Sequence, residues 1–192
     1  MRTPRSLAIA LNGGQPRPRP LDADVTLLDE TLPPIAPVAP FRERVAAREG
    51  RADLLVFRVG EELFATDLRA VEEAVDGVTA RSIPDAPPAM LGVFALRDRT
   101  LPMYVLGRVL DVSHAGSGEM TLVVRPSLAR VALAVDAVDD VYDVPLDAVR
   151  PAPADADAMV LGVTWRGAEL LTLLDPDLVV AACLAASPPD SP

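Results

Sequence analysis

Residues 54–67 read Leu-Leu-Val-Phe-Arg-Val-Gly-Glu-Glu-Leu-Phe-Ala-Thr-Asp, and this stretch indicates the fold class of the chain. Two short apolar runs, Leu54–Val59 and Leu63–Asp67, flank the turn residues Gly60-Glu61-Glu62. β-Branched and aromatic residues on both sides of a short glycine-containing turn are typical of a β-hairpin. The folded part of the chain is therefore predicted to begin with a pair of antiparallel strands.

Short apolar runs with turn residues between them continue from this hairpin to residue 174. About ten strands at such short spacing favour barrels or sandwiches over a sheet of alternating strands and helices. The further strands are predicted at Val71–Val75, Met90–Leu96, Leu101–Leu106, Met120–Arg125, Arg130–Val135, Val138–Val144, Met159–Arg166 and Glu169–Leu174. Helix is predicted only as one turn at Gly107–Leu110 and as a terminal helix at Pro176–Ala186.

The second half of this β-rich region resembles the first. Leu91-Gly92-Val93 is matched by Leu161-Gly162-Val163, and Leu55–Arg58 is matched by Leu122–Arg125. After one deletion, the first match extends to two further pairs, Arg97 with Arg166 and Leu101 with Leu170. A repeat at an offset of roughly 70 residues predicts two similar barrels. The first is expected over about residues 53–112 and the second over about residues 119–175.

Residues 1–52 are predicted to be a disordered Pro/Arg-rich tail, and residues 187–192 a second, short tail. The first segment contains eight prolines, which interrupt helices and sheet ladders. Phe41–Gly50 is interpreted as a helical turn leading into the fold. Residues 21–32, called the acidic segment below, carry Leu21, Val25, Leu28 and Leu32 at helical spacing among four acidic residues. A solvated linker is the preferred interpretation of this segment, and a docking peptide is the alternative.

Charge and composition exclude several classes of function. The chain contains no lysine, which excludes a P-loop and any chemistry that needs a lysine amine. Residues 53–192 hold 10 Arg against 22 Asp and Glu, so this part of the chain would repel a phosphate backbone. Nucleic acid is therefore not expected as a partner. The longest apolar run, residues 178–186, is too short to span a bilayer, and we expect a cytoplasmic protein without direct membrane insertion.

Residues that could support catalysis or bind a metal are few. His114, the single histidine, lies in a glycine- and serine-containing stretch that predicts an exposed loop, and Cys183 lies in the apolar terminal helix. Trp165, at a strand end, is interpreted as core filler or interface. Four aspartates are interpreted as solvated strand ends rather than a cation site: Asp136, Asp139, Asp140 and Asp143. We therefore expect no catalytic residue, no cofactor and no metal.

Seven short landmarks follow one another between residues 53 and 186. They are Leu55–Ala65, Val71–Val75, Ile83–Pro87, Leu91–Arg97, Leu101–Leu106, Val135–Val138 and Leu173–Asp175. In this order they resemble the CheW family of chemotaxis adaptors. The resemblance implies a mainly β fold of two five-stranded, SH3-like barrels that share one core, followed by a short C-terminal helix. It also implies a non-enzymatic scaffold that couples the regulatory domain of a CheA-type histidine kinase to the cytoplasmic tip of a chemoreceptor.

The resemblance also gives the candidate partner-binding residues. Glu73 and Arg97 match family landmarks and are expected to lie near each other on the surface that faces the receptor. The other candidates in matching strands and turns are Gly92, Asp98 and Tyr104. An Arg–carboxylate pair on the surface can serve recognition or be an incidental salt bridge, and the sequence leaves both interpretations open.

Three substitutions depart from the family pattern, namely Asp98 and Asp111 in place of glycine, and Val105 in place of an acidic residue. Loss of the glycine at position 98 should cost little if Asp98 can take the left-handed conformation, which aspartate tolerates better than most residues. Two alternatives to a chemotaxis adaptor stay open. One is a CheW-like module in a non-chemotactic pathway, such as surface motility, with partners of its own. The other is a β-barrel that binds a small molecule.

Overall fold

The computed structural model describes residues 39–45, 47–77, 79–113, 116 and 118–186. The predictions for residues 1–38, His114 and residues 187–192 lie outside the described residues. In chain order, the described helices and strands are α1 (Ala39–Arg44), β1 (Ala47–Arg48), β2 (Arg51–Val59), β3 (Glu62–Asp67), β4 (Val71–Asp76), β5 (Ala80–Arg81), β6 (Met90–Leu96), β7 (Arg99–Val105), α2 (Leu106–Val109), β8 (Met120–Val124), β9 (Val131–Val135), β10 (Ala137–Pro145), β11 (Val160–Arg166), β12 (Glu169–Leu174) and α3 (Pro176–Ala185). Short 3-10 turns lie at Leu68–Ala70 and Leu146–Ala148.

The strands form two six-stranded sheets, each with five longer strands and one strand of two residues. One sheet has the order β1-β2-β3-β12-β11, and β10 also pairs with β2. We call this sheet the terminal barrel. The other has the order β4-β8-β9-β7-β6-β5, and we call it the central barrel. The mainly β fold with two barrels and a short C-terminal helix is confirmed.

The barrels do not follow one another along the chain, so the expected division into residues 53–112 and 119–175 is wrong for the described strands. The terminal barrel combines β2 and β3 with β10, β11 and β12, while the central barrel occupies the chain between them. Parallel pairing makes these connections, because β3 lies beside β12 and β7 lies beside β9. The first hairpin of each repeat therefore lies in the barrel whose other long strands come from the other repeat.

The strand registers also correct the alignment of the repeats. Gly92 pairs with Met103 in the central barrel, and Gly162 pairs with Leu173 in the terminal barrel. Both partners therefore lie at the same offset of 70 residues, and no deletion is present in this hairpin. The structural equivalent of Leu101 is thus Leu171, and that of Arg97 is Gly167. The predicted matches of Leu101 with Leu170 and of Arg97 with Arg166 are therefore each shifted by one residue.

The long apolar runs of the sequence arise because single strands feed two cores. In β2, Leu54 and Val56 point into the terminal barrel, whereas Leu55, Phe57 and Val59 point into a layer between the barrels. Alternate residues of a strand face opposite sides, so both faces of this strand are buried. The expected shared core is this layer, and α3 covers it with Val179, Val180 and Cys183. Each barrel has a further apolar interior of its own.

Helix α1 corrects the expected extent of the N-terminal tail, because residues 39–52 are part of the fold where they are described. Phe41 is 1% exposed and Val45 7% exposed, and both pack inside the terminal barrel. Beyond them, β1 pairs with the start of β2. A single phenylalanine with apolar neighbours is too weak a signal in the sequence to mark a buried helix.

Helix α3 begins at a buried aspartate. The Asp175 side chain is 1% exposed, and its Oδ1 accepts hydrogen bonds from the backbone N–H groups of Asp177 (2.9 Å) and Leu178 (3.2 Å). The other oxygen lies 2.6 Å from Nη1 of Arg44 in α1, which connects the two helices. This carboxylate therefore fixes the N-terminus of α3 by capping it and by ion pairing. None of the described helices combines the length and the apolarity needed to cross a membrane.

Glu62, at the start of β3, gives the terminal barrel a small pH dependence. Partial burial raises the pKa of this carboxyl above its ordinary value, so the folded state binds the proton more tightly than the unfolded state. Its ionisation therefore opposes folding as the pH rises through the folded-state pKa. We expect Glu62→Gln to increase the free energy of unfolding at pH 7, and this gain to disappear at a pH below the unfolded-state pKa. Urea denaturation at both pH values measures it, and an equal gain at both would contradict the assignment.

Candidate functional site

The candidate patch consists of Glu73 on β4 and Arg97 in the turn between β6 and β7, which the structure brings together on the central barrel. Nη2 of Arg97 lies 3.1 Å from Oε1 and 3.2 Å from Oε2 of Glu73. One nitrogen thus donates to both oxygens, so the pair is not the two-nitrogen fork that fixes geometry most strongly. The Arg97 side chain is 76% exposed, which leaves its other N–H donors accessible to a partner.

The turn that carries Arg97 holds it in an unfavourable backbone conformation. Leu96 pairs with Arg99, so Arg97 and Asp98 are the two central residues of the turn. Arg97 has a φ of +55°, and Asp98 is not among the described residues with positive φ. The left-handed residue of this turn is therefore Arg97 rather than Asp98, and a positive φ at the first central residue is the pattern of a type II′ turn. At the equivalent position of the terminal barrel, Gly167 has a φ of +63°.

Two of the predicted partner-binding residues are buried and have structural roles instead. Tyr104 is 1% exposed and packs in the layer between the barrels. Gly92 is buried too, and a Cβ atom there would lie 2.1 Å from the backbone oxygen of Arg81. The sequence pattern could not separate these roles, because a glycine or tyrosine in a family landmark can serve either packing or contact. Of the five predicted residues, the structure exposes Arg97 and Asp98 and leaves Glu73 partly exposed.

The family departures at Val105 and Asp111 also have structural explanations. Val105 is 3% exposed and pairs with Ala134, so it presents no side chain to a partner. Asp111 has a φ of +54° and thus adopts the conformation that the family's glycine would take. Aspartate tolerates this region better than most residues, because its short polar side chain can hydrogen-bond locally.

A second group of charged residues on the terminal barrel was not found from the sequence. Asp140 is the equivalent of Glu73. The residues that follow them, Val141 and Ala74, pair with Leu55 and Leu122 respectively, and these two leucines match each other in the repeat. Arg166 contacts Asp140 at 2.8 Å and Asp139 at 2.9 Å. Both barrels therefore carry an Arg–carboxylate pair at the same strand.

Arg58 extends this group of charges on the terminal barrel. Its guanidinium lies 3.1 Å from Glu169 and 3.6 Å from Asp139. The hydrogen bond to Glu169, followed by the negative charges of Glu169 and Asp139, raises the pKa of Arg58 despite the opposing effect of partial burial. Two of the four aspartates thus serve in ion pairs with Arg58 and Arg166. Of the others, Asp143 pairs with Arg51 at 2.6 Å, and Asp136 accepts a hydrogen bond from the Gly60 N–H.

Trp165 and Cys183 have contrasting environments. Trp165 is 60% exposed, so of the two interpretations, core filler or interface, core filler is wrong. Cys183, on α3, is fully buried against the layer between the barrels, and burial raises the pKa of its thiol to about 12. A thiol with so high a pKa is a poor nucleophile at neutral pH. No group of three or more His, Cys, Asp or Glu that could hold a metal is found within the described part of the chain.

Comparison with known proteins agrees with this architecture. The family model described as CheW-like domain matches residues 53–183. The chain is 31% identical over 107 residues to a probable chemotaxis protein CheW of Rhizobium etli, covering 55% of this chain and 69% of that protein. It is 26% identical over 144 residues to chemotaxis protein CheW of Treponema pallidum, covering 70% and 85% respectively. The crystal structure of scaffolding protein TtCheW from Thermoanaerobacter tengcongensis superposes with a TM-score of 0.59 at 24% identity, covering 64% of this chain and 88% of that chain.

Proposed function

The chain belongs to the CheW-like domain family, and from that premise we propose that it is a non-enzymatic adaptor of a chemosensory pathway. The observation that carries this proposal is the family match over residues 53–183, which spans both barrels rather than one motif. Relatives over this region are named chemotaxis proteins, and a solved relative is named a scaffolding protein. The proposed partners are the regulatory domain of a CheA-type histidine kinase and the cytoplasmic tip of a chemoreceptor, and the proposed location is the cytoplasm.

The energetics of the candidate patch support a recognition role for Arg97. A left-handed backbone costs a non-glycine residue roughly 1–2 kcal/mol. An exposed ion pair returns at most about 1 kcal/mol. The Glu73–Arg97 pair therefore does not repay the backbone strain at Arg97, and stability alone gives no reason for an arginine there. An exposed guanidinium held in place by a neighbouring carboxylate is well suited to contact a helical receptor tip.

We expect Arg97→Ala to weaken recruitment of a chemoreceptor fragment by about tenfold or more, since loss of a well-placed arginine at an interface costs on the order of 1–2 kcal/mol. Thermal stability should change by less than about 1 kcal/mol, because the side chain is exposed. Co-sedimentation with receptor fragments and thermal unfolding measure the two quantities. Unchanged recruitment, or a collapse of the fold, would remove Arg97 from the patch.

Two further variants serve as controls for this experiment. Arg99→Ala removes an exposed arginine two residues away, for which no ion pair is found within the described residues, and should leave recruitment unchanged. Arg97→Gly removes the same side chain as Arg97→Ala but also relieves the positive φ. This glycine variant should therefore be more stable than the alanine variant while showing the same loss of recruitment.

The adaptor function itself is tested by asking whether a CheA-type kinase co-purifies with the full chain. We expect the wild-type chain to retain the kinase. Failure to bind any such kinase from the same organism would favour the alternative of a CheW-like module with other partners. The second alternative, a small-molecule barrel, is disfavoured because apolar side chains fill the described interiors of both barrels.

A further inference from the structure

The structure contains an arginine-rich cleft in a domain that is otherwise acidic. Four arginines from three parts of the chain line it: Arg44 from α1, Arg69 from the turn before β4, and Arg125 and Arg130 from the loop between β8 and β9. Only two acidic residues, Asp67 and Asp177, line the same cleft. By contrast, residues 53–192 as a whole hold 10 Arg against 22 Asp and Glu. The fold therefore brings four arginines together at this place.

The guanidinium groups of the cleft keep capacity for a further partner. Arg44, Arg69 and Arg130 each contact one carboxylate, at 2.6, 3.2 and 2.5 Å respectively. A guanidinium has five N–H donors, and the side chains of Arg44 and Arg69 remain 46% and 68% exposed. Arg125 is exposed, and no carboxylate forms an ion pair with it among the residues that the structure describes.

The cleft also offers apolar contact on a supported loop. Leu128, which lines it between the arginines, is 62% exposed. The loop is held against α3, because the Ser127 N–H donates a hydrogen bond of 2.8 Å to Asp177. An exposed leucine among arginines fits a ligand that combines apolar and acidic side chains, such as an amphipathic acidic peptide.

We propose that the acidic segment of this same chain, residues 21–32, docks in the arginine-rich cleft. The segment carries Asp22, Asp24, Asp29 and Glu30 with no basic residue, and its apolar residues fall at helical spacing. Its charge of −4 complements the arginines, and its leucines can cover Leu128. This proposal adopts the docking alternative for the acidic segment rather than the solvated linker.

The length of the connection permits this contact. Six residues, 33–38, separate the acidic segment from Ala39, where α1 begins. Six residues of extended chain reach roughly 20 Å. Arg44, in the cleft, lies at the far end of α1, which is about 9 Å long at the usual helical rise. The tether is thus long enough to reach the cleft and short enough to keep the segment near it.

Tethering makes weak intrinsic affinity sufficient. A short linker whose length matches the distance it spans gives an effective concentration on the order of 1 mM. If the free segment binds with a Kd of about 0.1 mM, the tethered segment is docked in about nine chains of ten. Ala70, which lines the cleft, immediately precedes β4, and Arg130 pairs with Glu72 next to Glu73. A docked segment therefore lies near the start of β4, the strand that carries Glu73.

The test is competition between the tethered segment and a free copy of it. A fluorescein-labelled peptide of residues 20–33 is titrated against two full-length chains, the wild type and a variant with Asp22→Asn, Asp24→Asn, Asp29→Asn and Glu30→Gln. Fluorescence anisotropy should show binding to the neutralised variant, whose cleft is free, and about tenfold weaker binding to the wild type. Adding Arg125→Glu to the neutralised variant should weaken binding several-fold, whereas adding Arg81→Glu, an exposed arginine outside the cleft, should not.

Each other outcome overturns the proposal. Equal binding to both full-length chains would mean that the cleft is open in the wild type and takes an acidic segment from another molecule. Absence of binding to the neutralised variant would mean that the cleft does not recognise this sequence. Binding that Arg125→Glu and Arg81→Glu reduce equally would mean a non-specific charge effect. Thermal unfolding of each variant confirms that the fold is retained.

Discussion

Phe41→Ala is expected to reduce the free energy of unfolding by about 3–5 kcal/mol, the usual cost of removing a buried phenylalanine. Phe41 is 1% exposed and packs inside the terminal barrel with residues of β2, β3, β11 and β12. A chain that begins at residue 53 should lose still more, because it also lacks Val45 and the first residues of β2, which pair with the end of β10. Urea denaturation of the full-length variant measures the effect.

The matched control is Arg48→Ala, which removes an exposed side chain from β1 in the same segment. It should change the free energy of unfolding by no more than about 0.5 kcal/mol. A cost below about 1 kcal/mol for Phe41→Ala would show that α1 does not contribute to the core. The result also bears on experiments that remove the N-terminal tail, since a deletion that extends to residue 52 would test stability rather than tail function.

Gly92→Ala is the second substitution with a large expected effect, a loss of at least about 3 kcal/mol. The new Cβ would lie 2.1 Å from the backbone oxygen of Arg81 and 2.7 Å from its carbonyl carbon. Backbone atoms cannot swing aside as a flexible side chain can, so the pairing of β5 with β6 must open. The φ of +138° at Gly92 adds strain for any residue with a Cβ.

Gly167→Ala separates the two contributions. Gly167 also has a positive φ, of +63°, but a Cβ there would meet no atom within 4 Å. This control should therefore cost only the backbone term, about 1–2 kcal/mol. Denaturation curves of both variants give the difference, which reports the contact with Arg81. Equal losses for the two variants would show that the close approach of β5 to Gly92 has no energetic weight.

Local structure was predicted well because strand periodicity and turn residues are local signals. Met90–Leu96 and Glu169–Leu174 have the predicted bounds, and the helix predicted at Pro176–Ala186 ends one residue earlier, at Ala185. The exchange of hairpins could not be predicted in this way. Apolar strands with two buried faces, such as β2 and β9, match any neighbour, and the parallel pairing that connects the repeats is a long-range choice.

The candidate site was predicted only where a family landmark coincided with an exposed side chain. Arg97 and Glu73 meet this condition, whereas Tyr104 and Gly92 do not, since the pattern does not distinguish a contact from a packing requirement. Two further features depend on residues that are distant in sequence, namely the charged group around Arg166 and the cleft around Arg125. Neither forms a motif, so only the assembled fold brings their charges together.

Because the hairpins are exchanged, the two halves of the chain depend on each other for folding as well as being joined covalently. Each repeat contains part of both barrels and completes neither, so a single repeat could find its missing strands only in a second copy. Joining two copies in one chain makes that association intramolecular, and folding no longer depends on concentration. A substitution in the first hairpin of one half therefore changes the packing of a barrel whose other strands belong to the other half.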